Sequence, residues 1–348
     1  TGEGMMRPNP DRPSRCYGHI PTPFGAGSSV MSDLAAMRAD KLQSIERIQE
    51  GYADLGYICS RTIATAIYVA CQLEKPILIE GPAGVGKTEL ANTTSAYLEA
   101  PLIRLQCYEG LDEGKALYEW RYAKQLLYTQ ILKDKMDEVL QGAQGLAASM
   151  DQLHKHSDVF FSERFLAPRP LLQALKEDEG CVLLIDEVDK SDHEFEAFLL
   201  EILSEFQISI PELGTIKAKQ RPYVFLTSNN TRDMSDALKR RCLHLYVPFP
   251  DARLERDIIQ ARVPSIPPIL KTQLVEFVQS VRQMDLKKQP SVSETIDWAR
   301  VLLLLHANEL EADMVRETLN VFLKFEEDIA AVDQHLYEFI RGAEKASA

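Results

Sequence analysis

Short apolar runs alternate with longer amphipathic segments through the middle of the 348-residue chain. Five of these runs are predicted to be strands, at residues 76–80, 102–107, 182–186, 223–228 and 243–247. Runs that are short and apolar throughout are expected where helices cover both faces of a parallel sheet. The alternation of strands and helices therefore predicts an α/β core over residues 32–250, with a parallel sheet and helices on both faces.

The two ends of the chain differ from this alternating region. Residues 1–31 contain five prolines and five glycines without apolar periodicity, so we expect a disordered N-terminal segment. Ser32 is the predicted N-cap of an amphipathic helix that continues to about residue 50, and a second helix is expected at 59–73. After Pro248 and Pro250 only helical patterns follow, at 254–262, 269–284, 292–306 and from 314 onward. We expect these helices to form a small lid domain over residues 251–348.

Two segments of the sequence are additional to the strands and helices that the parallel sheet requires. About 74 residues separate the second predicted strand from the third, so we predict a mostly helical insertion around residues 113–160. His154 and His156 near its end would face apart on a helix, which favours a solvated surface over a metal site. Around residues 207–220, apolar residues alternate on both sides of a glycine-containing turn, which predicts a β-hairpin.

Composition and charge narrow the classes of function. Hydrophobic residues make up 45% of the chain and charged residues 26%, which is typical of globular proteins. The net charge of −13 argues against a nucleic-acid clamp, which needs clustered Lys and Arg. The six cysteines form no C-x-x-C pair, so we expect free thiols in a reducing, cytoplasmic protein rather than a zinc site. No uncharged apolar run approaches the roughly 18 residues of a membrane helix.

The turn after the first predicted strand carries a phosphate-binding motif. The pattern G-x-x-x-x-G-K-[ST] is matched in order by Gly81, Pro82, Ala83, Gly84, Val85, Gly86, Lys87 and Thr88. The glycines allow successive backbone N–H groups to point at phosphate oxygens. Lys87 is expected to contact the β- and γ-phosphates, and the Thr88 hydroxyl to ligate Mg²⁺. The motif predicts a P-loop NTPase sheet that binds ATP and Mg²⁺.

Acidic and amide side chains end two further strands. Asp186 and Glu187 lie at the end of the 182–186 strand, at the sheet edge where α/β proteins bind ligands. Asp186 is the predicted partner of Thr88 in holding Mg²⁺, and Glu187 the predicted general base for the attacking water. Asn229 follows the 223–228 strand, and its amide is able to hold both the γ-phosphate and the water. An asparagine in a β-turn is the alternative, and Asn230 is the second choice.

The order of these motifs resembles that of AAA+ ATPases. Residues 237–242 follow the Thr-Ser-Asn strand end, and the string Arg240-Arg241-Cys242 is similar to the arginine-finger motif of clamp loaders. The resemblance implies that Arg241 reaches the γ-phosphate bound by the neighbouring subunit, with Arg240 assisting. Two surface arginines that stabilise the end of a helix are the alternative.

Within AAA+ proteins, residues 45–325 resemble the MoxR family most. The predicted hairpin precedes the Asn229 strand, as in MoxR proteins, chelatase ATPases and replicative helicases, and the oversized segment lies where this clade carries insertions. Residues 118–122, Tyr-Glu-Trp-Arg-Tyr, are similar to a stretch in MoxR members, although an aromatic core cluster explains them equally well. The resemblance implies a homo-oligomeric ring, expected to be a hexamer. The ring would remodel or activate a protein client, expected to be a metalloenzyme, with a von Willebrand factor A-type partner.

The chain departs from the AAA+ pattern in its lid. AAA+ lids usually carry an arginine, sensor 2, early in a lid helix, and Glu294 occupies the matching position here. Arg300 follows about a turn and a half later. We therefore expect Asp297 and Trp298 to pack against the α/β core instead.

Other classes of function stay open. A DNA-acting relative of clamp loaders or helicases would use Lys217, Lys219 and Arg221 as a small basic strip on the hairpin. A metal-chelatase ATPase subunit would share the hairpin and the nucleotide site. A scaffold that binds ATP without turnover is disfavoured by the presence of Glu187.

Overall fold

The computed structural model describes residues 27–133, 165–210 and 213–347. Among these residues, 27–39 and those from 40 onward form two separate units. Helix α1 (Gly27–Lys41) begins before the predicted cap, so two expectations were wrong: residues 27–31 are helical, and Ser32 is not an N-cap. The rest of the predicted disordered segment lies outside the described residues.

The helix predicted to continue to residue 50 is interrupted at Ser44. The backbone of Ser44 is extended (φ −147°, ψ 159°), and its side chain accepts a hydrogen bond from the Arg47 N–H. A serine in this conformation begins a new helix because it satisfies one of the unpaired N–H groups of the first turn. Helix α2 (Ile45–Asp54) starts there, and Ser60 caps helix α3 (Arg61–Leu73) in the same way.

The five predicted strands form one parallel sheet, which confirms the α/β fold. Its strands are β1 (Ile77–Glu80), β2 (Leu102–Gln106), β5 (Val182–Asp186), β8 (Tyr223–Ser228) and β9 (Leu243–Tyr246). They lie in the order β2-β5-β8-β1-β9. Alternate residues of β5 enter different cores, Leu183 and Ile185 on one face and Val182 and Leu184 on the other. Burial of both faces explains why the strand is apolar at every position except its last.

Helices connect the strands of the core. They are α4 (Lys87–Leu98), α5 (Glu113–Ala116), α6 (Tyr122–Lys133), α7 (Pro170–Lys176), α8 (His193–Glu205) and α9 (Asp236–Arg241). A two-stranded antiparallel pair, β3 (Tyr118–Trp120) with β4 (Leu166–Pro168), joins the two ends of the predicted insertion. Residues 134–164 of that insertion, including His154 and His156, lie outside the described residues.

The predicted hairpin is present. Strand β6 (Gln207–Ile210) pairs with β7 (Gly214–Lys217) in antiparallel register, with Gln207 opposite Lys217. Ile208 and Ile210 are buried against the core, whereas Ser209 and Thr215 face solvent and lie 3.1 Å apart between hydroxyl oxygens. The alternation of buried and exposed residues that predicted the hairpin therefore corresponds to its two faces.

The residues after Pro250 are helical, as predicted for the lid. The helices are α10 (Ala252–Arg262), α11 (Pro268–Arg282), α12 (Val292–Leu304), α13 (Ala312–Phe322) and α14 (Glu326–Ser347). Trp298 is fully buried in the core of this domain, stacked on Phe322 at 4.3 Å between ring centroids. The expectation that Trp298 and Asp297 pack against the α/β core was wrong, because Trp298 has its own apolar core and Asp297 is 62% exposed. In the part of the chain that the structure describes, no helix is long and apolar enough to cross a membrane.

Candidate functional site

The phosphate-binding loop lies between β1 and α4, at the carboxyl edge of the sheet. Gly81 and Gly84 have φ values of +148° and +74°, which residues with a Cβ rarely adopt. A Cβ on Gly81 would lie 2.2 Å from the carbonyl oxygen of Val247, and one on Gly84 would lie 2.4 Å from the Cβ of Ser291. The glycines are therefore required both by backbone conformation and by close packing.

Lys87 holds the centre of this loop. Its ammonium donates to the carbonyl oxygens of Gly81 and Pro82, each at 2.7 Å, and to Asn229 Oδ1 at 2.8 Å. The side chain is buried, and burial lowers the pKa of Lys87, against the opposing effect of the nearby carboxylates. Phosphate oxygens are stronger acceptors than carbonyl groups, so the ammonium is positioned to exchange these contacts for a nucleotide.

Thr88 and Asp186 bring hard oxygen atoms together at the position predicted for Mg²⁺. The Thr88 hydroxyl donates to Asp186 Oδ1 at 3.1 Å, and Thr227 donates to the same oxygen at 2.5 Å. Mg²⁺ is usually held by one or two protein oxygens together with phosphate and water, so this pair fits the ion as a companion of a nucleotide. Within the described ranges, no group of three or more His, Cys, Asp or Glu side chains offers a separate metal site.

Glu187 has an unusual backbone conformation directly after β5. Its φ of +56° is uncommon for a residue with a Cβ, and its N–H donates to the Thr227 hydroxyl at 2.9 Å. The carboxylate accepts from Lys190 at 2.6 Å, from Gln106 at 2.8 Å and from the Asn229 amide at 3.4 Å. The predicted base and the predicted amide are therefore neighbours, with Lys87 on the other side of Asn229.

Sequence reasoning missed Asp189, which orders the turn that carries Asn229. Asp189 Oδ2 accepts from the Asn229 N–H at 3.2 Å, from the Thr231 N–H at 3.0 Å and from the Thr231 hydroxyl at 2.6 Å. Burial alone would raise the pKa of Asp189, but the hydrogen bonds from Thr231 and Asn229 bring it below its ordinary value. The available signal was its position, two residues after Glu187 and directly after the apolar Val188.

Arg104 and Gln106 were also missed. Arg104 Nη2 donates to Asp186 Oδ2 at 2.5 Å and to Gln106 Oε1 at 2.7 Å. Both residues belong to edge strand β2, and Gln106 lies in register with Asp186. Their spacing of two places them on one face of the strand at its carboxyl end, which was the signal that could have found them.

Two adjoining cavities extend from the loop. The first, of about 330 Å³, is lined by polar side chains that include Lys87, Arg104 and Asp186. The second, of about 300 Å³, lies between the core and the lid and includes Tyr57, Ile258 and Ile296. Both share Gly84, Gly86, Glu89 and Ser293. A polar compartment joined to an apolar one fits a phosphate chain attached to a nucleoside.

The lid contacts the loop through Ser293. Its N–H and its hydroxyl donate to the Gly84 carbonyl at 3.3 and 3.4 Å, and Arg262 of α10 pairs with Glu89 of α4 at 2.5 Å. Glu294, at the expected arginine position, completes a capping box with Ser291 and pairs with Lys288 at 2.8 Å. Arg300 pairs with Asp297 and lines the apolar cavity.

The two predicted finger residues lie elsewhere. Arg240 and Arg241 are exposed at the end of α9, where Arg241 Nε donates to the Ser204 hydroxyl at 2.7 Å. Neither residue is among those that line the cavity at Lys87. The structure therefore does not bring them into the chain's own site, and their action on a neighbouring subunit stays a prediction.

Fold and site together are those of a P-loop nucleotide-binding domain with a helical lid. Residues 76–242 match the family model described as AAA domain (dynein-related subfamily), which supports an AAA+ ATPase. An uncharacterized protein of Staphylococcus haemolyticus is 28% identical over 237 residues, covering 66% of this chain and 76% of the relative. An uncharacterized protein of Staphylococcus aureus is 27% identical over 237 residues, with the same coverage of 66% and 76%.

Solved structures similar to this chain include RuvB of Thermotoga maritima. The RuvB Holliday junction branch migration motor is 17% identical, with a TM-score of 0.43, covering 85% of this chain and 79% of that chain. A mutant of the same protein has a TM-score of 0.44 at 17% identity, covering 81% of this chain and 76% of that chain.

Proposed function

We propose that this chain hydrolyses ATP to ADP and phosphate in the presence of Mg²⁺. The observation that carries the proposal is the convergence of Lys87, Thr88, Asp186, Glu187 and Asn229 on one cavity. A lysine and backbone N–H groups bind the phosphates, a hydroxyl and a carboxylate hold a cation, and a second carboxylate lies beside the amide. These are the groups that phosphoryl transfer to water requires.

In the proposed reaction, Glu187 and Asn229 act on the attacking water. The Asn229 amide orients the water, and the Glu187 carboxylate accepts its proton as the oxygen bonds to the γ-phosphorus. The bond between that phosphorus and the β,γ-bridging oxygen breaks, so that ADP leaves with the electron pair. Lys87 stabilises negative charge on the phosphates throughout. When bound at Thr88 and Asp186, Mg²⁺ would supply further neutralisation of phosphate charge.

We also propose that the ATPase works as a homo-oligomeric ring, expected to be a hexamer. Among the described residues that line the phosphate cavity, Arg104 is the one arginine, so a second arginine at the γ-phosphate would have to come from elsewhere. Arg241 lies outside that cavity, exposed, with its Nε on the neutral hydroxyl of Ser204. An exposed arginine at the surface of one subunit supports its use as a finger for the next, with Arg240 beside it.

The proposed work of the ring is remodelling or activation of a protein client. The MoxR resemblance supports a metalloenzyme client and a von Willebrand factor A-type partner. Charge supports a protein over DNA, since the net charge is −13 and two of the three cations in the basic strip are paired: Lys219 with Asp178 at 2.6 Å, and Arg221 with Glu74 at 2.8 Å. Paired cations have less charge to offer to phosphates.

A complementation experiment tests the ring. Arg241→Ala should slow hydrolysis by ~10³–10⁵, the usual effect of losing an arginine finger, while leaving its own loop able to bind ATP. Lys87→Ala is inert for the opposite reason, because its loop is disabled and its finger intact. A 1:1 mixture, reassembled from monomers and confirmed as rings by light scattering, should recover phosphate release. Mixed rings that stay inactive would exclude Arg241 as a finger acting between subunits.

The client class is tested by parallel binding titrations. Fluorescently labelled single-stranded and duplex DNA should show no saturable binding at low salt, where phosphate contacts are strongest. A von Willebrand factor A-type protein, where one is encoded beside this gene, should bind with an affinity that changes between ATP and ADP. Tight, salt-sensitive DNA binding together with no binding of that protein would overturn the proposal in favour of a DNA-acting ATPase.

A further inference from the structure

Arg104 places a positive charge on the carboxylate that is expected to hold the cation. Its Nη2 lies 2.5 Å from Asp186 Oδ2, while the Thr88 and Thr227 hydroxyls contact Oδ1. Asp186 is 4% exposed at its side chain, whereas Arg104 is 52% exposed. The carboxylate is therefore fixed in place, and the arginine is the partner with room to move.

Two cations on one buried carboxylate repel each other. If Mg²⁺ is held by Thr88 and Asp186, its charge lies beside the position that the Arg104 guanidinium occupies on the same carboxylate. The γ-phosphate of a bound nucleotide offers the guanidinium a stronger acceptor in the same cavity, which Arg104 and Lys87 both line. The charge conflict is relieved when Arg104 transfers from the carboxylate to the phosphate.

Gln106 connects this arginine to the predicted base. Its Oε1 accepts from Arg104 at 2.7 Å, and its Nε2 donates to Glu187 Oε2 at 2.8 Å. The guanidinium therefore fixes the orientation of the amide that holds Glu187. Departure of Arg104 removes that constraint, so a contact with the γ-phosphate is transmitted to the general base through one side chain.

We propose that Arg104 acts within its own subunit as a cation that rests on Asp186 and moves to the γ-phosphate when Mg·ATP binds. The inference rests on the proposed ATPase function and adds a residue that reports the presence of the γ-phosphate. Its direct consequence is discrimination between ATP and ADP, because ADP lacks the acceptor to which the guanidinium moves.

The test compares nucleotide affinities by isothermal titration calorimetry. A non-hydrolysable ATP analogue and ADP are titrated, each with Mg²⁺, into the full-length protein and into Arg104→Gln. We expect Arg104→Gln to weaken binding of the analogue by about 10–100-fold, the usual effect of a charged hydrogen bond, and binding of ADP by less than about threefold. ADP binding by Arg104→Gln should also require less Mg²⁺, because no second cation competes for Asp186.

Two further variants serve as controls. Arg221→Gln is the matched control, since Arg221 is 51% exposed and pairs with Glu74 at the opposite end of the sheet. It should leave both affinities unchanged. Arg104→Lys should keep part of the discrimination, since it retains the charge without the planar fork.

The outcomes separate this inference from the function on which it rests. Equal weakening of the analogue and ADP in Arg104→Gln, or no weakening of either, would overturn the role of Arg104 while leaving the ATPase intact. If the wild-type protein binds neither nucleotide, the proposed ATPase function itself fails.

Discussion

The two ends of the central sheet each carry a half-exposed arginine bound to a carboxylate, yet their surroundings differ. At the carboxyl end, Asp186 is shared by Arg104, Thr88 and Thr227 and is almost fully buried. At the amino end, Arg221 is paired with Glu74, a side chain 61% exposed. Exposure of the arginine does not distinguish the two ends. The distinguishing feature is a buried carboxylate with several partners. Such a carboxylate is typical of a site that binds a charged ligand.

The same comparison bears on the proposal that the client is a protein and not DNA. Ion pairs between exposed side chains contribute roughly 0–1 kcal/mol, so the Lys219–Asp178 and Arg221–Glu74 pairs add little to stability. They do, however, neutralise Lys219 and Arg221, two of the three cations of the strip that the sequence suggested as basic. At the carboxyl end, Lys87 instead donates to two carbonyl groups and an amide, none of which cancels its charge.

The largest expected effect follows from removing the charge at the centre of the carboxyl end. Lys87→Ala should abolish ATP binding in isothermal titration, because no other side chain of the loop offers a cation to the phosphates. Lys219→Ala removes an ammonium from the amino end and should bind ATP as the wild type does. Micromolar ATP affinity retained by Lys87→Ala would refute the assignment of the loop.

An intermediate effect is expected at Asp189. Asp189→Ala leaves the N–H groups of Asn229 and Thr231 without their acceptor, so unfolding in urea should show a loss of about 1–3 kcal/mol. The kcat should fall more than the ATP affinity, because the proposed role of Asn229 is to orient the attacking water during the reaction. Asp178→Ala, which breaks an exposed pair, should change neither quantity. An unchanged kcat in Asp189→Ala would show that the Asn229 turn orders itself.

The contribution of Asp189 to stability should depend on pH. The pKa of Asp189 is lower in the folded protein than in the unfolded chain, so its contribution to stability is present above the unfolded pKa. That contribution is lost as the pH falls through the lowered folded pKa. The stability difference between wild type and Asp189→Ala should therefore shrink in acid, which urea titrations at a series of pH values measure.

The smallest expected effect concerns the lid. Glu294→Ala removes one half of a capping box and should cost roughly 1 kcal/mol of stability. ATP affinity should stay within a few-fold of wild type, since the Glu294 carboxylate bonds the Ser291 N–H and Lys288. Glu294→Gln preserves the cap and is the control. A large loss of ATP affinity in both variants would place Glu294 at the γ-phosphate after all.

The strands and the phosphate loop were predictable because their signals are local. All five strands were found within one residue at each end, since runs buried on both faces are apolar throughout. The first helix boundary was missed because Ser32 and Ser44 offer the same capping chemistry, and the local pattern does not choose between them. Arg104, Gln106 and Asp189 were missed because their roles depend on which strands are neighbours and on what faces them across the sheet edge.

In the lid, the helices were predictable from the sequence but their contacts were not. The lid helices were predictable from their apolar periodicity. The periodicity does not show whether Trp298 packs in the core of the lid or in the α/β core, since a buried indole fits both. The sequence showed that Glu294 replaces the arginine usual in AAA+ lids. It did not show the contact that connects the lid to the phosphate loop. Ser293 reaches Gly84 through a backbone N–H and a short hydroxyl, and neither produces a recognisable motif.

The measurement that tests the central claim most directly is a comparison of ATP binding and phosphate release in Glu187→Gln. The change keeps the shape of the side chain and removes its basicity, so Mg·ATP should bind with wild-type affinity while turnover slows by ~10²–10⁴. Bound nucleotide recovered from the variant should remain ATP, whereas the wild type should yield ADP. Turnover within a few-fold of wild type, or loss of binding together with turnover, would contradict the assignment of Glu187 as the general base of this site.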